Sequence, residues 1–106
     1  MVLSDVVIKM GAYDIDIWEC VEKINDAMEK KKSGEIEEAK ELTKEFLVCL
    51  KKYDTVVYWD NARGKLIARS KRGQGGGWRR DMDKVMEILE IERKEDWERI
   101  EKELWG

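Results

Sequence analysis

The sequence contains no histidine and no proline, one glutamine (Gln74), and only two asparagines and two cysteines. Without histidine the commonest general base is missing. The carboxylates of Asp14, Asp16, Asp54 and Asp60 stand at cap and turn positions, where the backbone needs them. No enzyme is expected. Cys20 and Cys49 lie 29 positions apart with no histidine to complete a metal site, so no zinc centre is expected, and no motif asks for any other cofactor. No run approaches the ~18 apolar residues of a membrane span, and the first ten residues have neither a basic leader nor a long apolar core. The chain therefore reads as soluble and cytoplasmic, with no membrane partner.

What is present is charge: Asp, Glu, Lys and Arg make up 42% of 106 residues. That length suits one domain, 1–106, with a single modest core. Abundant Lys and Glu with few thermolabile amides is the composition expected of a thermophile protein.

Asp14 reads as an N-cap, and Ile17, Val21, Ile24 and Met28 follow at helical spacing with Trp18 beside them, predicting a helix over 15–32. Ser33-Gly34 stops it. Ile36, Ala39, Leu42, Phe46, Cys49, Leu50 and Tyr53 then predict a second helix over 35–53. Two helices of equal length joined by two residues favour an antiparallel pair. Counted from that turn, Cys20 and Cys49 fall within about one helical turn of the same level, so the two can face each other. Spacing alone leaves open whether they bond, because only inward-pointing residues bring their Cα atoms within ~7 Å.

The period then changes to two. Residues 55–60 and 65–70 read as strands flanking Asn61-Ala62-Arg63-Gly64, a loop that Gly64 can close in the left-handed conformation. A four-residue loop sets Asp60 opposite Lys65. Val57, Trp59, Leu66 and Ala68 then share the core face, and Val56, Tyr58, Lys65, Ile67 and Arg69 the other. Beyond the glycines, Met82, Val85, Met86, Leu89, Trp97, Ile100 and Leu104 continue a helical stripe, interrupted at Arg93, as one long helix or two shorter ones over 80–105. A short helix is expected over 5–10. The fold class is mainly α (α+β): an antiparallel helical hairpin, one β-hairpin, and a C-terminal helix or helix pair.

Net charge is distributed unevenly. Positions 1–62 carry −5, positions 63–80 carry +7 with no acid at all, and positions 81–106 carry −5. The whole-chain value of −3 conceals this patch of Arg63, Lys65, Arg69, Lys71, Arg72, Arg79 and Arg80. Seven uncompensated cations repel one another unless they face a polyanion or an acidic partner. Five of the seven are Arg, the better donor for phosphate and for stacking. Tyr58 and Trp78 lie within or beside the patch as stacking candidates. Gly73, Gly75, Gly76 and Gly77 make the backbone permissive before a helix start, where an anion can sit. The segment is not a Walker A loop, since no Gly-Lys-Ser/Thr follows. Nor is it a dinucleotide motif, since Trp78 holds the third glycine position.

The expected function is therefore non-catalytic binding of nucleic acid, DNA or RNA, with single strands favoured over groove reading. The contacts would be made by the hairpin and the basic Gly-rich loop within 55–80. The alternative is an adaptor or assembly subunit whose patch docks an acidic protein. The element order is similar to that of a winged-helix domain, but the would-be reading helix opens Glu35-Ile36-Glu37-Glu38, which repels phosphate. A homodimer through the C-terminal stripe and closure of that stripe over the chain's own core are both open expectations.

Overall fold

The computed structural model describes residues 15–70 and 78–106 and, of residues 15–17 and 70, the backbone only. The expected helix over 5–10, the Asp14 cap, and Lys71, Arg72 and the glycines at 73–77 lie outside the described residues.

Helix α1 spans Ile15–Lys32 and α2 spans Ile36–Lys52. Gly34, at φ +84°, takes the left-handed conformation that costs other residues ~1–2 kcal/mol. The Glu35 N–H can thus reach back to the Lys30 carbonyl at 2.9 Å and close α1. Lys30–Lys32 end α1, and Glu37 and Glu38 open α2, each favourable to its helix dipole. Lys30 Nζ meets Glu35 at 3.6 Å and Glu38 at 3.2 Å across the turn. Cys20, Ile24 and Ala27 on α1 face Ala39, Phe46, Leu47 and Leu50 on α2 in one buried cluster. Thr43 belongs in that core because its hydroxyl donates to the Ala39 carbonyl at 2.8 Å. The inward spacing also brings Cys20 to Cys49, with Cα atoms 5.6 Å apart, and the two form a disulfide.

Strands β1 (Thr55–Asp60) and β2 (Lys65–Ser70) pair antiparallel with Asp60 opposite Lys65, the register that a four-residue loop predicts. Gly64 sits at φ +64°, and Asp60 ties the loop by accepting the Ala62 N–H at 2.9 Å on its carboxylate and the Gly64 N–H at 2.8 Å on its carbonyl. Val57, Leu66 and Ala68 are buried and Trp59 packs partly buried against them. The opposite face holds exposed Val56 and Arg69 and half-buried Tyr58, Lys65 and Ile67.

The C-terminal region is two helices, α3 (Arg79–Leu89) and α4 (Lys94–Trp105). Arg93, which interrupts the apolar stripe, is the N-cap of α4. Asp96 accepts the N–H groups of Glu92 and Arg93 at 3.0 and 3.1 Å, which holds its carboxyl below the ordinary range and satisfies donors that a helix start leaves open. Glu90 ends α3 in the left-handed conformation, and Ile91 turns into the core. On α4, Trp97 is buried, and Ile100, Leu104 and Trp105 pack partly buried against the same core. Lys51 lies 4.8 Å from the Trp105 ring centroid, tying the end of α4 to α2. The C-terminal stripe thus closes its own chain's core. Helix α3 packs against α1, α2 and β2, and α2 also packs on β1. No helix among the described residues is long and apolar enough to cross a membrane.

Trp78 corrects the sequence reading. It is only 1% exposed, at the N-cap of α3, with its ring 6.1 Å from that of Phe46. An indole enclosed in the core offers no face to a base. Burial of so large a ring outweighs the polar company it keeps in sequence, so Trp78→Ala should lower unfolding free energy by about 3–5 kcal/mol. A change of less than about 1 kcal/mol in denaturant titration would return Trp78 to the surface. Unfolded without reductant, the protein should show no free thiol from Cys20 or Cys49. Replacing both with Ser should cost roughly 3–4 kcal/mol on the chain-entropy view of a ~30-residue loop.

Candidate nucleic-acid interface

The edge of β2 and the first turn of α3 enclose a cleft of about 370 Å³. Its walls carry Arg63 from the hairpin loop, Lys65 and Arg69 from β2, and Arg79 from α3, around Leu66, Ile67, Ala68 and Met82. Four of the seven patch cations, from three stretches of chain, therefore meet at one place. Alternation along β2 makes this possible: Leu66 and Ala68 turn into the core, which leaves Lys65 and Arg69 on the other face. Arg79 arrives because buried Trp78 and Met82 hold the first turn of α3 against that core.

The four cations are not equivalent. Arg63 lies 3.6 Å from Asp60, and Lys65 lies 3.6 Å from Asp83 on α3. Arg69 and Arg79 make no ion pair among the described residues. Arg80 is exposed and likewise without an ion pair there, but it stands outside the cleft lining. Tyr58 is half-buried on the outer face, directly across from the cleft residue Ile67. Trp78, as shown above, is core. Lys71 and Arg72 lie outside the described residues.

Sequence reading missed the backbone. The Leu66 N–H donates to Met86 Sδ at 3.5 Å and so points away from β1. Hydrogen-bonded and non-hydrogen-bonded pairs alternate along an antiparallel ladder, so Ala68, two residues on, also turns its N–H and carbonyl outward, to the edge that lines the cleft. The sheet has only two strands, and this edge of β2 is open at Ala68 among the described residues. It adds uncharged donor and acceptor capacity between the arginines. The pairing of Arg63 with Asp60 was readable as an i, i+3 contact, whereas that of Lys65 with Asp83 depends on how α3 docks.

Behind this wall, Asp81 is buried in the first turn of α3, 3.6 Å from Lys84, whose Nζ also donates to Asn25 Oδ1 on α1 at 3.4 Å. Burial pushes the Asp81 carboxyl above its ordinary 3.8, and Lys84 only partly opposes this. A carboxyl whose pKa rises on folding binds its proton more tightly in the folded state. Its ionisation therefore removes stability as pH rises from about 3.8 through the folded value, and the loss is complete above that. Asp81→Asn should be at least as stable as the parent at pH 7, with the difference shrinking toward pH 3. Urea midpoints at the two pH values check it, and a variant weaker at pH 7 yet equal at pH 3 would make the Lys84 pair dominant. Compared with family models, curated proteins and solved structures, the chain matches none of them.

Proposed function

We propose that this protein binds nucleic acid without catalysis, through the cleft between β2 and the start of α3. One observation carries the reading: Arg63, Lys65, Arg69 and Arg79 converge on a single cleft in a chain whose sequence on either side of 63–80 is net acidic. In this reading Arg69, Arg79 and Arg80 hold phosphate, while Arg63 and Lys65 stay with Asp60 and Asp83 and shape the edge of the cleft. Lys71 and Arg72 add charge from the adjoining segment. Tyr58 is the remaining stacking candidate, at ~1–3 kcal/mol per base by general experience. In this reading the residues serve positioning and charge.

The open edge at Ala68 favours a second reading, in which an acidic protein segment adds to β2 as an extended strand, as in an adaptor. A homodimer through α4 would have only the half-buried Ile100, Leu104 and Trp105 left to cover. We also infer a cytoplasmic, thermophilic setting. The Cys20–Cys49 disulfide on its own favours an oxidising compartment and suits a cytoplasmic chain chiefly in a hyperthermophile, while ion pairs that tie separate elements, such as Lys23–Glu45, Lys31–Glu87 and Lys40–Glu90, suit high temperature.

Arg69→Ala, Arg79→Ala and Arg80→Ala combined should weaken binding of single-stranded oligonucleotides. The slope of log K against log salt should flatten by about 0.7 per lost phosphate contact, with little change in thermal midpoint. Protein purified at low salt should carry absorbance at 260 nm that high salt removes. Binding unchanged in the triple variant would move the interface elsewhere. An acidic polypeptide captured in place of nucleic acid would favour the adaptor.

A further inference from the structure

We propose that the cleft recognises the terminal phosphate of a nucleic-acid strand, a phosphomonoester, rather than the internal diesters of a long one. The inference rests on the nucleic-acid reading above and narrows it to strand ends.

The charge of the cleft decides between the two ligands. Of its four cations, Arg63 and Lys65 already face Asp60 and Asp83 at 3.6 Å each. Arg69 and Arg79 are the two lining cations with no ion pair among the described residues, which leaves a local surplus of two positive charges. A phosphomonoester carries about −1.5 to −2 at pH 7, whereas a diester carries about −1. One terminal phosphate therefore matches what the cleft has uncommitted.

Size points the same way. About 370 Å³ lies near the lower end of small-ligand pockets, ~300–1,000 Å³, room for one end nucleotide and not for a run of them. Asp60 and Asp83, held beside Arg63 and Lys65 at the cleft, oppose a further phosphate within a Debye length of ~8 Å. The chemistry of the lining suits a terminal group as well. Two guanidinium groups supply forked donors, and the outward Ala68 N–H supplies a neutral one, so several oxygens of a single phosphate can be met at once.

The test compares one 12-nucleotide single strand bearing a 5′-phosphate, a 3′-phosphate or hydroxyls at both ends, by fluorescence anisotropy at fixed salt. One phosphorylated form should bind at least about tenfold tighter than the hydroxyl form, the scale of one charge-assisted forked contact. Its affinity should stay level when the strand is shortened to four nucleotides. Arg69→Ala and Arg79→Ala should each abolish the preference, and Arg79→Lys should restore only part of it. Lys102→Ala, on exposed α4 surface, should keep it. Equal binding of all three strands, with affinity rising with length, would overturn the terminal-phosphate inference and leave the nucleic-acid reading standing. Binding of none would overturn both, and a preference that survives loss of Arg69 and Arg79 together would place the phosphate outside this cleft. Circular dichroism of each variant separates a lost contact from a lost fold.

Discussion

Gly64 at φ +64° closes a loop that sets Asp60 opposite Lys65, and from that one pairing both faces of the β-hairpin follow. Side chains alternate with period two, so a slip of one residue would drive Lys65 and Arg69 into the core and turn Leu66 and Ala68 to solvent. Burying two cations without partners costs far more than a hairpin can return. The register is therefore held from both sides, by the apolar face packed on α2 and α3 and by the charges that must stay wet. The cleft is a consequence of that register. The alternation that buries Leu66 and Ala68 is the one that presents Arg69 beside Arg79.

The helical pair plays a comparable part for the rest of the chain. Gly34 fixes where α1 ends, and the antiparallel return then decides which residues of α2 share a level with those of α1. Cys20 and Cys49 come within bonding distance because both are small and both point inward. The bond joins the α1 and α2 walls of the core into which Phe46 and Trp78 pack. Since Trp78 immediately precedes Arg79, the rigidity of this core is passed directly to a cation of the cleft. The structural residue and the candidate binding residue are chain neighbours with opposite fates.

Much of this was legible from spacing. The helix bounds, the break at Ser33-Gly34, the hairpin register and the inward face of β2 are local patterns, and local patterns survive in a sequence. Trp78 was misread because it was judged by its neighbours in a basic stretch. Its distance from Met82, four residues, and from Val85, seven, already placed it on the buried stripe of α3. Arg93 carried the opposite lesson. A cation at an apolar position marked the end of one helix and the cap of the next, and Asp96 three residues on was the readable companion. The cysteine bond, the pairing of Lys65 with Asp83 and the open edge at Ala68 were beyond reach, because each depends on how separate elements dock.

The patch also shows why total charge misleads in a protein of this kind. Seven Lys and Arg in 63–80 suggest a broad cationic surface, yet of the five among the described residues the fold gives carboxylates to Arg63 and Lys65 and leaves Arg69, Arg79 and Arg80 without an ion pair there. An acidic chain of net charge −3 repels polyanions at distance and gains attraction only on close approach to the cleft. On the proposed reading such an arrangement would weaken non-specific adhesion along a strand, since each added diester would meet repulsion as well as attraction. It would keep contact where a compact, doubly charged group enters between Arg69 and Arg79. Selectivity in the proposed interface would then arise from the acids as much as from the arginines, because removing Asp60 or Asp83 would widen the positive field without adding a donor.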